Sequence, residues 1–223
     1  MELASTPDDA SDVERQLVEL ARLAAEHLSA VSYASTTVLR EDSYTTVAAT
    51  HPLAAALDDA QYADRTGPCL EALDSATPVA VRDVAMTMRW PGFRRVARRI
   101  GLQSSLSIPL FAGSGHAFAS MNLYGRDRTA MTDLTGHVRA AFGSAGSTPH
   151  ASSTEQPASG AGDLATGVVK ALAVRDQIQR AIGMLVSRQG CSAHEAYLSL
   201  RVRAADAGVP LPAMAIRTVK RLV

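Results

Sequence analysis

The sequence predicts an α+β domain built on antiparallel β-hairpins, followed by an all-α unit of three helices. Three observations carry this. Helical and extended periodicities alternate up to about residue 142, a run of Gly, Ser, Thr, Pro and Ala occupies Gly143–Gly162, and only helical periodicity follows it. At 223 residues, 47% hydrophobic and 20% charged, the chain is apolar enough to bury a core in each part.

The elements follow in order. Ser11 and Glu14 have capping-box spacing, and Val13, Leu17, Leu20, Ala24 and Leu28 recur at helical spacing, so a helix is expected over 11–30. Tyr33–Arg40 and Tyr44–Thr50 are β-rich runs around the polar Glu41-Asp42-Ser43 turn, a hairpin pattern. Short helices at Ala54–Ala63 and Cys69–Ser75 flank the turn Arg65-Thr66-Gly67-Pro68, then come a strand at Val79–Val81 and a helix over 92–100. Ser104–Phe111 and Ala117–Tyr124 form a second strand pair around Ala112-Gly113-Ser114-Gly115, and a helix over 132–142 closes the domain. Beyond the linker, Val168, Leu172, Ile178, Ile182 and Leu185 line one stripe of a helix ending near Gly190. Ser192 with Glu195 caps the next helix, Gly208 ends it, and Leu211, Ala215, Ile216 and Val219 mark the third. The expected division is a disordered N-terminus at 1–10, a first domain at 11–145, a flexible linker at 146–163 and a helical domain at 164–223.

Composition excludes several functions. No apolar run approaches the roughly 18 residues of a membrane-spanning helix, and the acidic N-terminus is unlike a secretory signal, so a cytoplasmic protein is expected. No nucleophile-elbow, phosphate-loop, zinc-protease or dinucleotide motif is present, and the histidines lack metal-ligand spacing. No catalytic residue, metal set or cofactor is therefore expected, and the chain is not read as an enzyme. Cys69 is weighed apart. It follows Gly67-Pro68 and would open a helix, where the helix dipole lowers a thiol pKa, although a small buried residue at a turn is the plainer reading. A redox or small-molecule enzyme centred on it is the third-ranked class.

Neutral overall charge hides a division. Residues 1–148 carry 13 Lys/Arg against 17 Asp/Glu, whereas 164–223 carry 9 against 3. A basic C-terminal quarter presents a local positive field to a polyanion. Arg175, Arg180, Arg188, Arg201, Arg203 and Lys220 are its candidate nucleic-acid contacts, joined by the small Ala181 and Gly183, which allow a second backbone, a helix or a nucleic-acid strand, to approach. A protein-docking bundle with a basic exterior accounts for the same charge equally well. In the first domain, Arg94, Arg95, Arg98 and Arg99 fall on one helix face, open to a phosphate-bearing ligand, a partner or plain solvent.

Two resemblances sharpen these readings. Gln179-Arg-Ala-Ile-Gly-Met-Leu-Val-Ser-Arg-Gln-Gly190, Ser192-Ala-His-Glu-Ala-Tyr-Leu-Ser-Leu-Arg201 and Leu211-Pro-Ala-Met-Ala215 resemble the ANTAR domain. That resemblance implies a three-helix RNA-binding module that promotes transcription antitermination at hairpins in nascent transcripts. Where the family often has Lys between the Ala and Gly, this chain has Ile182. Leu57-Asp-Asp-Ala-Gln61, Thr66-Gly-Pro-Cys-Leu-Glu71, Val81-Arg-Asp83, Arg89-Trp-Pro-Gly-Phe93, Gly101-Leu-Gln-Ser-Ser105, Pro109-Leu110 and Met121-Asn-Leu-Tyr124 resemble the GAF sensor domain in its actinobacterial, ANTAR-linked form. It implies an antiparallel sheet flanked by helices with a small-molecule pocket or a dimerisation surface; Cys69, Trp90 and Phe93 are its expected pocket residues. Together they imply a signal-responsive regulator of hairpin-containing leader RNA, working as a homodimer away from membranes. A protein-interaction signalling module, its C-terminal bundle docked on a protein, is the alternative.

Overall fold

The computed structural model describes residues 12–144 and 159–222. Among them two compact units emerge: residues 12–110 with 117–144 and 159–169, and residues 170–222 with 111–116. Each is described by itself.

The first unit opens with helix α1 (Val13–His27), followed by strands β1 (Tyr33–Arg40) and β2 (Ser43–Ala49). Glu41 and Asp42 both take positive φ, 46° and 62°, which matches the right-handed twist of a two-residue hairpin. Helices α2 (Pro52–Asp64) and α3 (Pro68–Ser75), strand β3 (Val79–Val81) and helix α4 (Pro91–Arg99) come next. All three helices begin on proline, whose fixed φ suits the first helical position and whose missing N–H goes unused there. Strands β4 (Ser104–Phe111) and β5 (Ala117–Gly125) and helix α5 (Arg128–Ser144) complete the domain.

The strands form one five-stranded sheet in the order β2-β1-β5-β4-β3. Antiparallel pairing sets Tyr33, Ser35 and Thr37 of β1 opposite Tyr124, Asn122 and Ser120 of β5. Because side chains alternate, these six share one face and Ala34, Thr36 and Val38 take the other. Thr36 Oγ1 donates to the Leu17 carbonyl, placing α1 on that second face. Thr36 pairs with Ala48 but Thr37 with Thr46, so one extra residue bulges β2.

The described residues correct several expected boundaries. The helix closing the domain starts at Arg128 rather than 132, because Asp127 Oδ1 accepts from the Thr129 and Ala130 amides at 2.8 and 3.1 Å. Ser159–Asp163, expected in the linker, already belongs to helix α6 (Ser159–Gln189). Gly160 there lies against the His27 carbonyl, an approach that a Cβ would block. Residues 1–11 and 145–158, and with them the Ser11 half of the first capping box and most of the linker, lie outside the described residues.

The second unit contains α6 from Lys170 onward, α7 (Ala193–Asp206) and α8 (Leu211–Leu222). Ile178, Ala181, Ile182 and Leu185 of α6 meet Ala196, Tyr197, Leu200 and Ala204 of α7 and Leu211 and Ala215 of α8 in one core. The Ser192–Glu195 capping box is formed in both directions, and Gly208 takes φ 61° just past α7. The fold is thus an α+β sheet domain followed by a helical region.

Candidate functional site

The centre of the first unit is polar. Asp58, on α2, is wholly buried, and its two carboxylate oxygens are divided between strands. Oδ1 accepts from Tyr124 Oη at 2.6 Å and Asn122 Nδ2 at 3.3 Å, while Oδ2 accepts from Thr46 Oγ1 at 3.0 Å. Donor bookkeeping orients the rest. Thr46 spends its proton on Asp58, so it accepts from Tyr62 Oη at 2.9 Å; Tyr62 in turn accepts from Thr37 Oγ1 at 2.8 Å, and Thr37 accepts from Asn122 Nδ2 at 3.0 Å. Ser120 Oγ donates to Asn122 Oδ1 at 2.9 Å, and the amide of Cys69, opening α3, donates to Gln61 Oε1 at 2.9 Å.

Among the described residues no cationic side chain bonds to Asp58. Burial pushes the Asp58 acid up to about 6 against the opposing pull of the Tyr124, Ser35 and Thr46 hydrogen bonds. The same burial, reinforced by the nearby Asp58 charge, pushes the Cys69 thiol up to about 12. Desolvation therefore overrides the helix-dipole effect expected for Cys69: the buried thiol stays protonated and is a poor nucleophile. The three expected pocket residues are not gathered together. Cys69 packs with Leu70, Leu73, Tyr44 and Tyr62, whereas Trp90 and Phe93 pack with Leu57, Val81 and Tyr124. Asp58 and Asn122 were missed as site residues; the available signal was an acid beside Leu57 and Gln61, which lie at core-facing spacing on α2.

In the helical unit, Arg180, Gly183, Arg188, Arg203 and Lys220 are exposed. A Cβ on Gly183 would meet nothing within 4 Å, so packing does not demand this glycine, and α6 presents bare backbone there. Arg201 is half-buried with its guanidinium 5.7 Å from the Tyr197 ring centre. Two candidates need correction as direct contacts. Ala181 is fully buried in the bundle core, where its small side chain serves packing. Arg175 is half-buried, its Nε donating to the Gly115 carbonyl at 2.8 Å and its guanidinium lying 4.3 Å from the Phe111 ring centre, so these bonds occupy it. Ile182 is 4% exposed, and a lysine there would bury its charge.

A family model described as the GAF domain matches residues 10–142. The chain belongs to the GAF domain family. A second model, the ANTAR domain, matches residues 167–217. The polar network thus lies inside the GAF domain, and Arg175, Arg180, Arg188, Arg201 and Arg203 lie inside the ANTAR match with Lys220 just beyond it; both are regulatory domain types. Among solved structures, the chain is similar to the GAF domain/HD domain protein from Geobacter sulfurreducens, at 14% identity and a TM-score of 0.46, over 76% of this chain and 95% of that one. It is also similar to type II free methionine-R-sulfoxide reductase from Thermoplasma acidophilum, at 11% identity and a TM-score of 0.40, over 71% of this chain and 91% of that one. No curated protein matches it. Among the described residues no helix is long and apolar enough to cross a membrane, and no cluster of His, Cys, Asp or Glu could hold a metal ion.

Proposed function

We propose that this protein is a signal-responsive regulator of the actinobacterial GAF–ANTAR type that binds hairpins in nascent mRNA and promotes transcription antitermination. The observation that carries the reading is the ANTAR match over a helical unit holding nine Lys/Arg against three Asp/Glu. Arg180, Arg188, Arg203 and Lys220 meet phosphates, Gly183 lets an RNA strand lie close to α6, and Arg201 flanks them. A small molecule received by the GAF domain biases a homodimer between arrangements, and two bundles held together gain effective concentration on paired hairpins. The cytoplasm is where it meets such transcripts.

The test is binding of the purified chain to a two-hairpin leader RNA across a salt series. Affinity well above that for scrambled RNA supports the reading, and equality at every salt concentration sinks it. One observation favours the protein-docking alternative: an apolar groove of about 610 Å³ between α7 and α8, lined by Leu198, Val202, Val209 and Leu211. Leu198→Asp with Val202→Asp abolishes partner capture under that alternative, whereas under the RNA reading hairpin binding is kept.

A further inference from the structure

The GAF domain carries a cationic surface that its network does not use. Between Asp83 and Asp127 the chain has no acidic residue, yet Arg89, Arg94, Arg95, Arg98, Arg99 and Arg126 fall within that interval. Helix α4 concentrates four of them. Phe93 and Ala97 are fully buried and fix the inner side of α4, which at 100° per residue turns Arg95, Arg98 and Arg99 outward and leaves Arg94 half-buried at the flank. Arg95, Arg98 and Arg99 are exposed, and among the described residues no ion pair holds them. Arg94 is steadied by donating from Nη2 to the Ala85 carbonyl at 3.1 Å. The Asp64 carboxylate accepts from the Gly92 amide at 2.8 Å, closing the amino end of the helix. Three guanidinium groups thus stand outward on a short, anchored helix within a domain whose overall charge is negative.

We propose that the outward face of α4 is a second RNA-binding surface, which grips the phosphate backbone of the transcript held by the ANTAR unit. The inference rests on the RNA-binding reading above. Guanidinium forks match phosphate oxygens in pairs, and a helix already fixed by its buried side loses little freedom on binding. A lipid surface fits less well. The aromatic residues on α4 and at its start, Phe93 and Trp90, are 0% and 7% exposed, so no aromatic side chain stands there to anchor in a bilayer. Once the bundle holds a transcript, the contact to α4 becomes intramolecular and needs little intrinsic affinity.

The experiment compares the full chain with Arg95→Ala/Arg98→Ala/Arg99→Ala on the two-hairpin RNA from 50 to 200 mM salt, with Trp90 emission verifying the GAF core. Three lost phosphate contacts flatten the salt dependence, so the intact chain loses roughly twenty- to fortyfold more affinity over that range than the variant does. The Lys triple variant keeps the steep dependence. An Ala variant with the parent's affinity and slope overturns the α4 surface while leaving RNA binding by the bundle intact. Loss of binding to phosphatidylserine vesicles with an unchanged RNA slope overturns it in favour of a membrane, and an intact chain indifferent to RNA removes both readings.

Discussion

Asp58→Asn probes the centre of the GAF domain with little change of shape. The acid is raised from 3.8 to about 6 in the folded protein, a difference worth about 3 kcal/mol between its two protonation states. The sign follows from proton counting. Between those two values the folded chain holds a proton that the unfolded chain has released, so stability falls as pH rises. The contribution is fully present below about pH 4 and is lost as pH passes through about 6. An asparagine cannot titrate there. Its amide keeps an acceptor for Tyr124 and offers a donor to Thr46, whose hydroxyl rotates to receive it. Any constant cost of that rearrangement cancels when the two proteins are compared across pH. Urea unfolding followed by Trp90 fluorescence is the assay, because the chain has one tryptophan and it is buried in this domain. From pH 4 to pH 7.5 the asparagine variant gains on the parent by roughly 2–3 kcal/mol. A difference that stays flat within about 0.5 kcal/mol, or one that moves in the parent's favour, would refute the claim that burial outweighs the hydrogen bonds at this carboxylate.

Three further outcomes are expected. Gly183→Ala removes an exposed mid-helix glycine, so it stabilises the bundle by up to about 1 kcal/mol in thermal unfolding while weakening hairpin binding; equal RNA affinity would show that the bare backbone is not a contact. Ser192→Ala breaks both halves of the α7 capping box and costs about 1 kcal/mol by far-ultraviolet circular dichroism melts, with GAF-domain unfolding unchanged. In the native protein iodoacetamide labels Cys191 and spares Cys69, which becomes reactive only in denaturant; rapid native labelling of Cys69, located by peptide mass, would contradict its burial.

Much of the architecture was legible because it is local. The Glu41–Asp42 hairpin, the Ser192–Glu195 box and the Gly208 stop each rest on residues a few positions apart, and all three form. Three of the misplaced helix starts share a cause: at Pro52, Pro68 and Pro91 proline is the first helical residue, not the last of the preceding turn. The polar centre was not legible, since Asp58 meets Asn122 and Tyr124 more than sixty positions away. Sequence showed Asp58 as one of two adjacent acids on a helix; the register that slides Asn122 under it is a property of the sheet. Charge density likewise identified the basic unit but not that Arg175 and Ala181 would turn inward, which depends on what each helix packs against.

The outermost position of β2 sets a condition on handling this protein. Its seven residues include no charged side chain, so nothing along the rim repels a second copy that offers its own strand. The extra residue at Val47 is what spoils the match, by bending the rim out of the flat alignment that stacking requires. Trimming that residue to tidy the hairpin removes a safeguard against clumping, and the loss surfaces as precipitation at high concentration, not as a lower melting point.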